Sequence, residues 1–151
     1  MASKTALSAV FDAIDDRGLR PSRKNGAVRT LLIGAAGFLG AISRYHVEGF
    51  ISGRMRGVAL PWGTLVVNVS GCFALGLIAT LMTERFLPHP HLRSALTIGF
   101  LGAYTTFSTF AYETLKLGED GASRLAVLNV TLSVVLGLAA AWLGILAGRA
   151  L

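Results

Sequence analysis

The segment Gly99-Phe-Leu-Gly102-Ala-Tyr-Thr105-Thr106-Phe107-Ser108-Thr109-Phe110 places four hydroxyl side chains within five residues, in the middle of an otherwise apolar run. Two glycines and two adjacent threonines are mediocre helix formers, so a helix through this segment is expected to break near Gly102–Thr106. Irregular backbone inside a membrane persists only where protein or a cavity satisfies it, and freed carbonyls there can coordinate a small cation. Phe107 and Phe110 are three residues apart and share a helix face. Their ring edges are the positive part of the aromatic quadrupole, so paired edges can face an anion. Asn68 lies inside a second apolar run and offers two amide N–H donors. Asn129, Ser133 and Gly137 recur every four residues in a third run, and with Asn68 they can form a polar track. Arg44 follows the small residues Gly34, Gly37, Gly40 and Ala41, where it can draw an anion into a vestibule or snorkel to lipid headgroups. Glu113 closes the hydroxyl-rich run and faces either water or the end of a pore. Each feature also has an ordinary reading: hydroxyls bonding back to the preceding turn, amides joining helices, phenylalanines packing.

The elements that must position these groups follow from the charges. Only 15% of the 151 residues are charged, against about 25% in soluble domains, while 53% are hydrophobic and the net charge is +6. The uncharged stretches Thr30–Ser43, Gly57–Thr83, Ser94–Tyr112 and Leu125–Gly148 contain 14, 27, 19 and 24 residues. A spanning helix needs about 20 apolar residues, so the last three qualify outright, and the first qualifies if Arg44 is tolerated within it. Four transmembrane helices are expected at 28–50, 62–84, 94–116 and 123–148, with Pro61 opening the second. Trp62 and Trp142 are placed for the membrane interfaces. The connections 51–61, 85–93 and 117–122 are too short for a soluble domain. The chain therefore divides into a basic N-terminal extension, 1–27, and a membrane domain, 28–151. The extension is either a short amphipathic surface helix or a mobile tail. A basic balance can signal nucleic acid, but the stretches between these charges are too apolar for that. The lone Cys72 excludes an internal disulfide and a multi-thiolate zinc site. No nucleophile–base pair or metal-ligand set points to an enzyme.

Outside the extension, each side of a four-helix topology carries four basic residues: Arg29, Arg85, Arg93 and Arg149 on one, Arg54, Arg56, Lys116 and Arg124 on the other. An unbiased core can insert both ways and give antiparallel dimers, whereas the basic extension pushes towards an internal N-terminus.

Taken together, Gly37-Phe-Leu-Gly40-Ala41-Ile-Ser-Arg44-Tyr45, Gly63-Thr-Leu-Val-Val-Asn68-Val-Ser-Gly71 and Gly102-Ala-Tyr-Thr105-Thr-Phe107-Ser-Thr-Phe110 resemble the fluoride channels of the Fluc (CrcB) family. The resemblance covers about 28–148. It implies an all-α membrane protein of four transmembrane helices, the third broken, assembled as an antiparallel dual-topology dimer. The implied activity is passive, fluoride-selective export across the plasma (inner) membrane of a bacterium. It implies that Phe107 and Phe110 line the ion path, that Asn68 donates to fluoride, and that Ser108, Thr109, Asn129 and Ser133 belong to the pore. The family carries a tyrosine where this chain has Asn129, and Gly137 lacks a hydroxyl where the track would continue. Arg44 would sit in the vestibule and Glu113 near the far end of the pore. The backbone carbonyls of Gly102 and Thr105 from both subunits would hold a structural sodium ion on the two-fold axis. The implied partners are fluoride, sodium, the lipid bilayer and a second copy of the chain or an oppositely oriented paralogue, with no nucleic acid. A small four-helix multidrug or cation exporter would need a carboxylate deep in a helix. Glu48, Glu84 and Glu113 lie near helix ends instead. A non-transporting membrane scaffold subunit would explain the glycine stripes and leave the Thr/Ser/Phe cluster without a purpose.

Overall fold

The computed structural model describes residues 23–84 and 90–151, and among them every regular element is helical. Helix α1 is Arg23–Arg54 and α2 is Trp62–Glu84. Helix α3, Pro90–Ser94, continues through a π-helical stretch, Ala95–Leu101, into α4, Gly102–Tyr104. The junction residues Ser94, Leu101 and Gly102 all keep right-handed helical angles, so these three pieces form one rod. After an interruption come α5, Phe107–Glu119, and α6, Ser123–Ala150. The described residues thus form four helical segments, with the third divided. Most of the expected N-terminal extension, and the loop residues 85–89, lie outside the described residues.

Among the described residues, three helices are long and apolar enough to cross a membrane: Gly26–Arg54, Trp62–Thr83 and Ser123–Ala150. The divided segment is not among them, because the break leaves α5 with 13 residues. At 1.5 Å per residue that is about 20 Å, short of a hydrocarbon core of about 30 Å. Helix α1 overruns both expected ends and α5 runs past the expected 116. Beyond the apolar core, lysine, arginine and glutamate are good helix formers and continue the turn into water. Pro61 opens α2 as expected, its carbonyl accepting from Leu65 N–H at 3.1 Å. Beyond Glu119 the helix α5 is closed by Gly121, whose φ of 77° only glycine adopts easily. There Ala122 N–H reaches Leu117 O at 2.8 Å and Gly121 N–H reaches Gly118 O at 3.1 Å, a Schellman closure that turns the chain sharply into α6.

Backbone-to-backbone contact holds the helices together. A Cβ on Gly76 would strike the carbonyl oxygen of Ala141, and one on Gly144 would strike that of Phe73. The small residues Ala140, Gly144 and Gly148 of α6 form a stripe buried in this crossing with α2. Between membrane helices no water is expelled, so close approach of small residues supplies the attraction. On the other side α1 crosses the π-helical stretch. Gly40 lies against the Phe100 carbonyl, and Gly99 lies 2.6 Å, by its missing Cβ, from the Ile33 carbonyl. Outward, the helices present Leu31, Phe38, Val127, Leu138 and Trp142, all exposed. Such an apolar exterior needs lipid or another apolar surface over it.

Candidate functional site

The interruption of the third segment is two residues long. Thr105 (φ −81°, ψ 155°) and Thr106 (φ −146°, ψ 111°) are extended, a conformation β-branched residues accept readily. It falls inside the expected Gly102–Thr106 window. Asn68 of α2 clamps it. Its Oδ1 accepts from Thr106 N–H at 2.8 Å, and its Nδ2 donates to Thr106 O at 3.0 Å. The side-chain amide therefore pairs with one residue of extended backbone as a second strand would. The Thr106 hydroxyl then caps α5, accepting from Thr109 N–H at 3.3 Å and bonding Thr109 Oγ1 at 2.9 Å. Upstream, Leu101 O accepts both the amide and the hydroxyl of Thr105, each at 3.0 Å.

These bonds reassign two carbonyls. In an unbroken helix Gly102 O would receive Thr106 N–H, and Thr105 O would receive Thr109 N–H. Here Asn68 takes the first donor and the Thr106 hydroxyl takes the second. Gly102 is exposed, with only Thr97 O within 4 Å of where a Cβ would stand.

Beside the break is a cleft of about 350 Å³. Its wall comes from Asn68, Gly71, Cys72 and Leu75 of α2, Thr97 and Leu101 of the π-helical stretch, and Gly102. It is completed by Thr105 and Thr106, by Phe107 and Phe110 of α5, and by Ser133 and Val134 of α6. None of these side chains carries a charge. Gly71 admits the break to this position, since a Cβ there would overlap the Thr105 methyl. The Phe107 and Phe110 rings lie 5.6 Å apart, tilted by 52°. Phe107 is 79% exposed at the cleft mouth. Asn68 has committed one of its two amide hydrogens to Thr106, which leaves the other as a donor. The Ser133 hydroxyl is buried without a hydrogen-bond partner among the described residues.

Of the residues singled out in the sequence, Asn68, Gly102, Thr105, Phe107, Phe110 and Ser133 thus converge on one cleft. The others stand apart from that wall. Ser108 is exposed, and Thr109 is bonded to Thr106. Asn129, only 1% exposed, donates to Thr114 Oγ1 at 2.8 Å. Arg44 is half-buried on α1, one turn before Glu48. Glu113 accepts from the Thr64 hydroxyl at 3.0 Å, and that hydroxyl lies 3.4 Å from Glu48 Oε1, so both carboxylates meet at the start of α2. Thr64, Thr114 and the Ser70–Tyr104 hydroxyl pair at 2.9 Å are contributors that were not singled out from the sequence. For two of them the signal was present: Thr64 precedes Asn68 by one turn, and Thr114 follows Phe110 by one turn.

Helices with an apolar exterior, and a neutral donor-lined cleft beside a broken segment, define a multi-pass membrane protein of the ion-pathway kind. The sequence narrows this further. It matches the family described as CrcB-like protein, Camphor Resistance (CrcB), over residues 31–145, and the chain belongs to that family. It is 49% identical over 122 residues to a protein of Solibacter usitatus named fluoride-specific ion channel FluC, covering 81% of this chain and 99% of that one. A protein of the same name from Geobacter sulfurreducens is 50% identical over 121 residues, covering 80% and 97%. Another, from Citrifermentans bemidjiense, is 47% identical over 119 residues, covering 79% and 95%.

Proposed function

We propose that this protein is a fluoride-selective channel of a bacterial inner membrane, which lets fluoride leave the cytoplasm passively and so confers fluoride resistance. The observation that carries this reading is the convergence of the free Asn68 amide hydrogen, the Ser133 hydroxyl and the Phe107–Phe110 pair on one uncharged cleft. Fluoride is small and strongly hydrated, so a path must replace its water with close donors that do not hold it too tightly. Amide and hydroxyl donors and ring edges meet that requirement, whereas a lysine or arginine side chain beside the ion would hold it too tightly. No coupling is required, because the membrane potential drives an anion outward with about 2.3 kcal/mol per charge per 100 mV. Neutral hydrogen fluoride entering from weakly acidic media dissociates inside, which makes such an exit useful. Glu113, held by Thr64, marks the end of the path, and Arg44 the vestibule.

The working unit in this reading is an antiparallel dimer inserted in both orientations. The exposed apolar exterior and the even basic residues on the two sides of the membrane domain support it. The carbonyls of Gly102 and Thr105, whose helical donors are engaged elsewhere, fit a sodium ion held jointly with a second copy. That ion would supply structural cross-linking at the breaks.

The test is reconstitution of the purified chain alone in liposomes, with fluoride and chloride efflux followed by ion-selective electrodes. Rapid fluoride efflux without chloride efflux is expected. Equal passage of both ions, or no efflux from well-folded protein, overturns the reading.

A further inference from the structure

We infer that Asn129 and Thr114 are positioning residues for Phe110, and that Asn129 acts through this link and not as a donor along the ion path. The inference rests on the fluoride-channel reading above. Asn129 Nδ2 donates to Thr114 Oγ1 at 2.8 Å, and that hydroxyl donates its own proton to Phe110 O at 2.7 Å. A hydroxyl has one proton and two lone pairs, so the three groups form a one-way relay from α6 to the backbone of a cleft-lining phenylalanine. Helix α5 has particular need of it. It carries both cleft phenylalanines, yet none of its residues is fully buried. Apolar contact is non-directional and would let so shallowly packed a helix slide or roll on α6. A directed hydrogen bond sets one rotation. Ser133 stands one turn beyond Asn129 on α6 and forms the cleft wall with Phe110. Fixing Phe110 against α6 therefore also fixes the gap between the Phe110 ring and the Ser133 hydroxyl. Asn129 is 1% exposed, so its amide has no water to fall back on if Thr114 is lost.

The test compares Thr114→Val, Thr114→Ser, Asn129→Leu and the Thr114→Val/Asn129→Leu double variant, each in the full-length chain. Fluoride efflux from liposomes and backbone hydrogen exchange are measured on all four. Thr114→Val and Asn129→Leu are each expected to slow efflux by about tenfold, the scale of one buried hydrogen bond. The double variant is expected to be no slower than either single one, because the two residues form one link. Thr114→Ser, which keeps the hydroxyl, is expected to restore most of the flux. Exchange over Phe107–Thr114 is expected to quicken in Thr114→Val and Asn129→Leu, with Trp62–Thr83 unchanged. Slow efflux in Asn129→Leu alone, with Thr114→Val and all exchange rates at the wild-type level, would make Asn129 a pore donor and overturn the inference. Wild-type efflux and exchange in every variant would overturn it too. A wild-type chain that passes no fluoride overturns the channel reading instead, and the exchange rates then decide the relay by themselves.

Discussion

Asn68 uses its side chain twice. One face of the amide completes the backbone of Thr106, and in the proposed channel the remaining N–H is the donor to the ion. The two uses are coupled, because the clamp fixes the direction of the free hydrogen. Phe107 and Phe110 are likewise paired, their rings 5.6 Å apart and tilted by 52° on the cleft wall. Changing either phenylalanine to isoleucine keeps an apolar side chain of helical habit and removes the edge. Each substitution is expected to lower fluoride efflux by roughly tenfold, the scale of one aromatic contact, with elution on size-exclusion chromatography unaltered. Wild-type flux in both would remove the aromatic pair from the path.

The broken segment is the element on which the site depends. Its break is held from α2, 38 residues away in sequence, so neither half-helix determines it alone. Replacing Asn68 with leucine keeps the volume and leaves the buried Thr106 N–H and C=O without partners. A loss of about 2 kcal/mol or more of stability is expected, read as a lower unfolding temperature in detergent and accompanied by loss of fluoride flux. Unchanged stability would show that Thr106 finds other partners and that Asn68 is no clamp. The break itself was legible in the sequence, since glycine and paired threonine make poor helix locally. Its two-residue length and its Asn68 partner were not, because both depend on how closely α2 approaches through Gly71. The π-helical stretch was equally hidden. It lies where Gly99 and Phe100 meet α1 backbone to backbone, a contact that no local pattern records.

At the scale of the whole molecule, the family match begins at residue 31 and the cleft draws only on residues from Asn68 onward. Deleting residues 1–27 is therefore expected to leave fluoride efflux unchanged in reconstituted liposomes. A dead but well-expressed truncation would make the extension part of the transport unit. The outward apolar faces of α1 and α6, with Leu31 and Leu138 exposed, are matched to lipid or to a second copy.

Hydrophobicity and propensity, which act within a few turns of chain, made several features legible from the residues alone. These were the four helical segments, the start of α2 at Pro61 and the weak point in the third segment. The residue types also marked Asn68, Phe107, Phe110 and Ser133 as chemistry out of place in apolar runs. Which of those groups share a cleft depended on how the helices pack. That packing brought Thr64 to Glu113 across 49 residues and put Asn129 on Thr114 instead of on the cleft wall. The physical reason is that a helix face can be read from period alone, whereas the partner of a buried amide or hydroxyl depends on interhelical distance and rotation. Here those are set by backbone contacts at Gly40, Gly76, Gly99 and Gly144 and by the Thr105 methyl against Gly71, which exist only once the helices have packed.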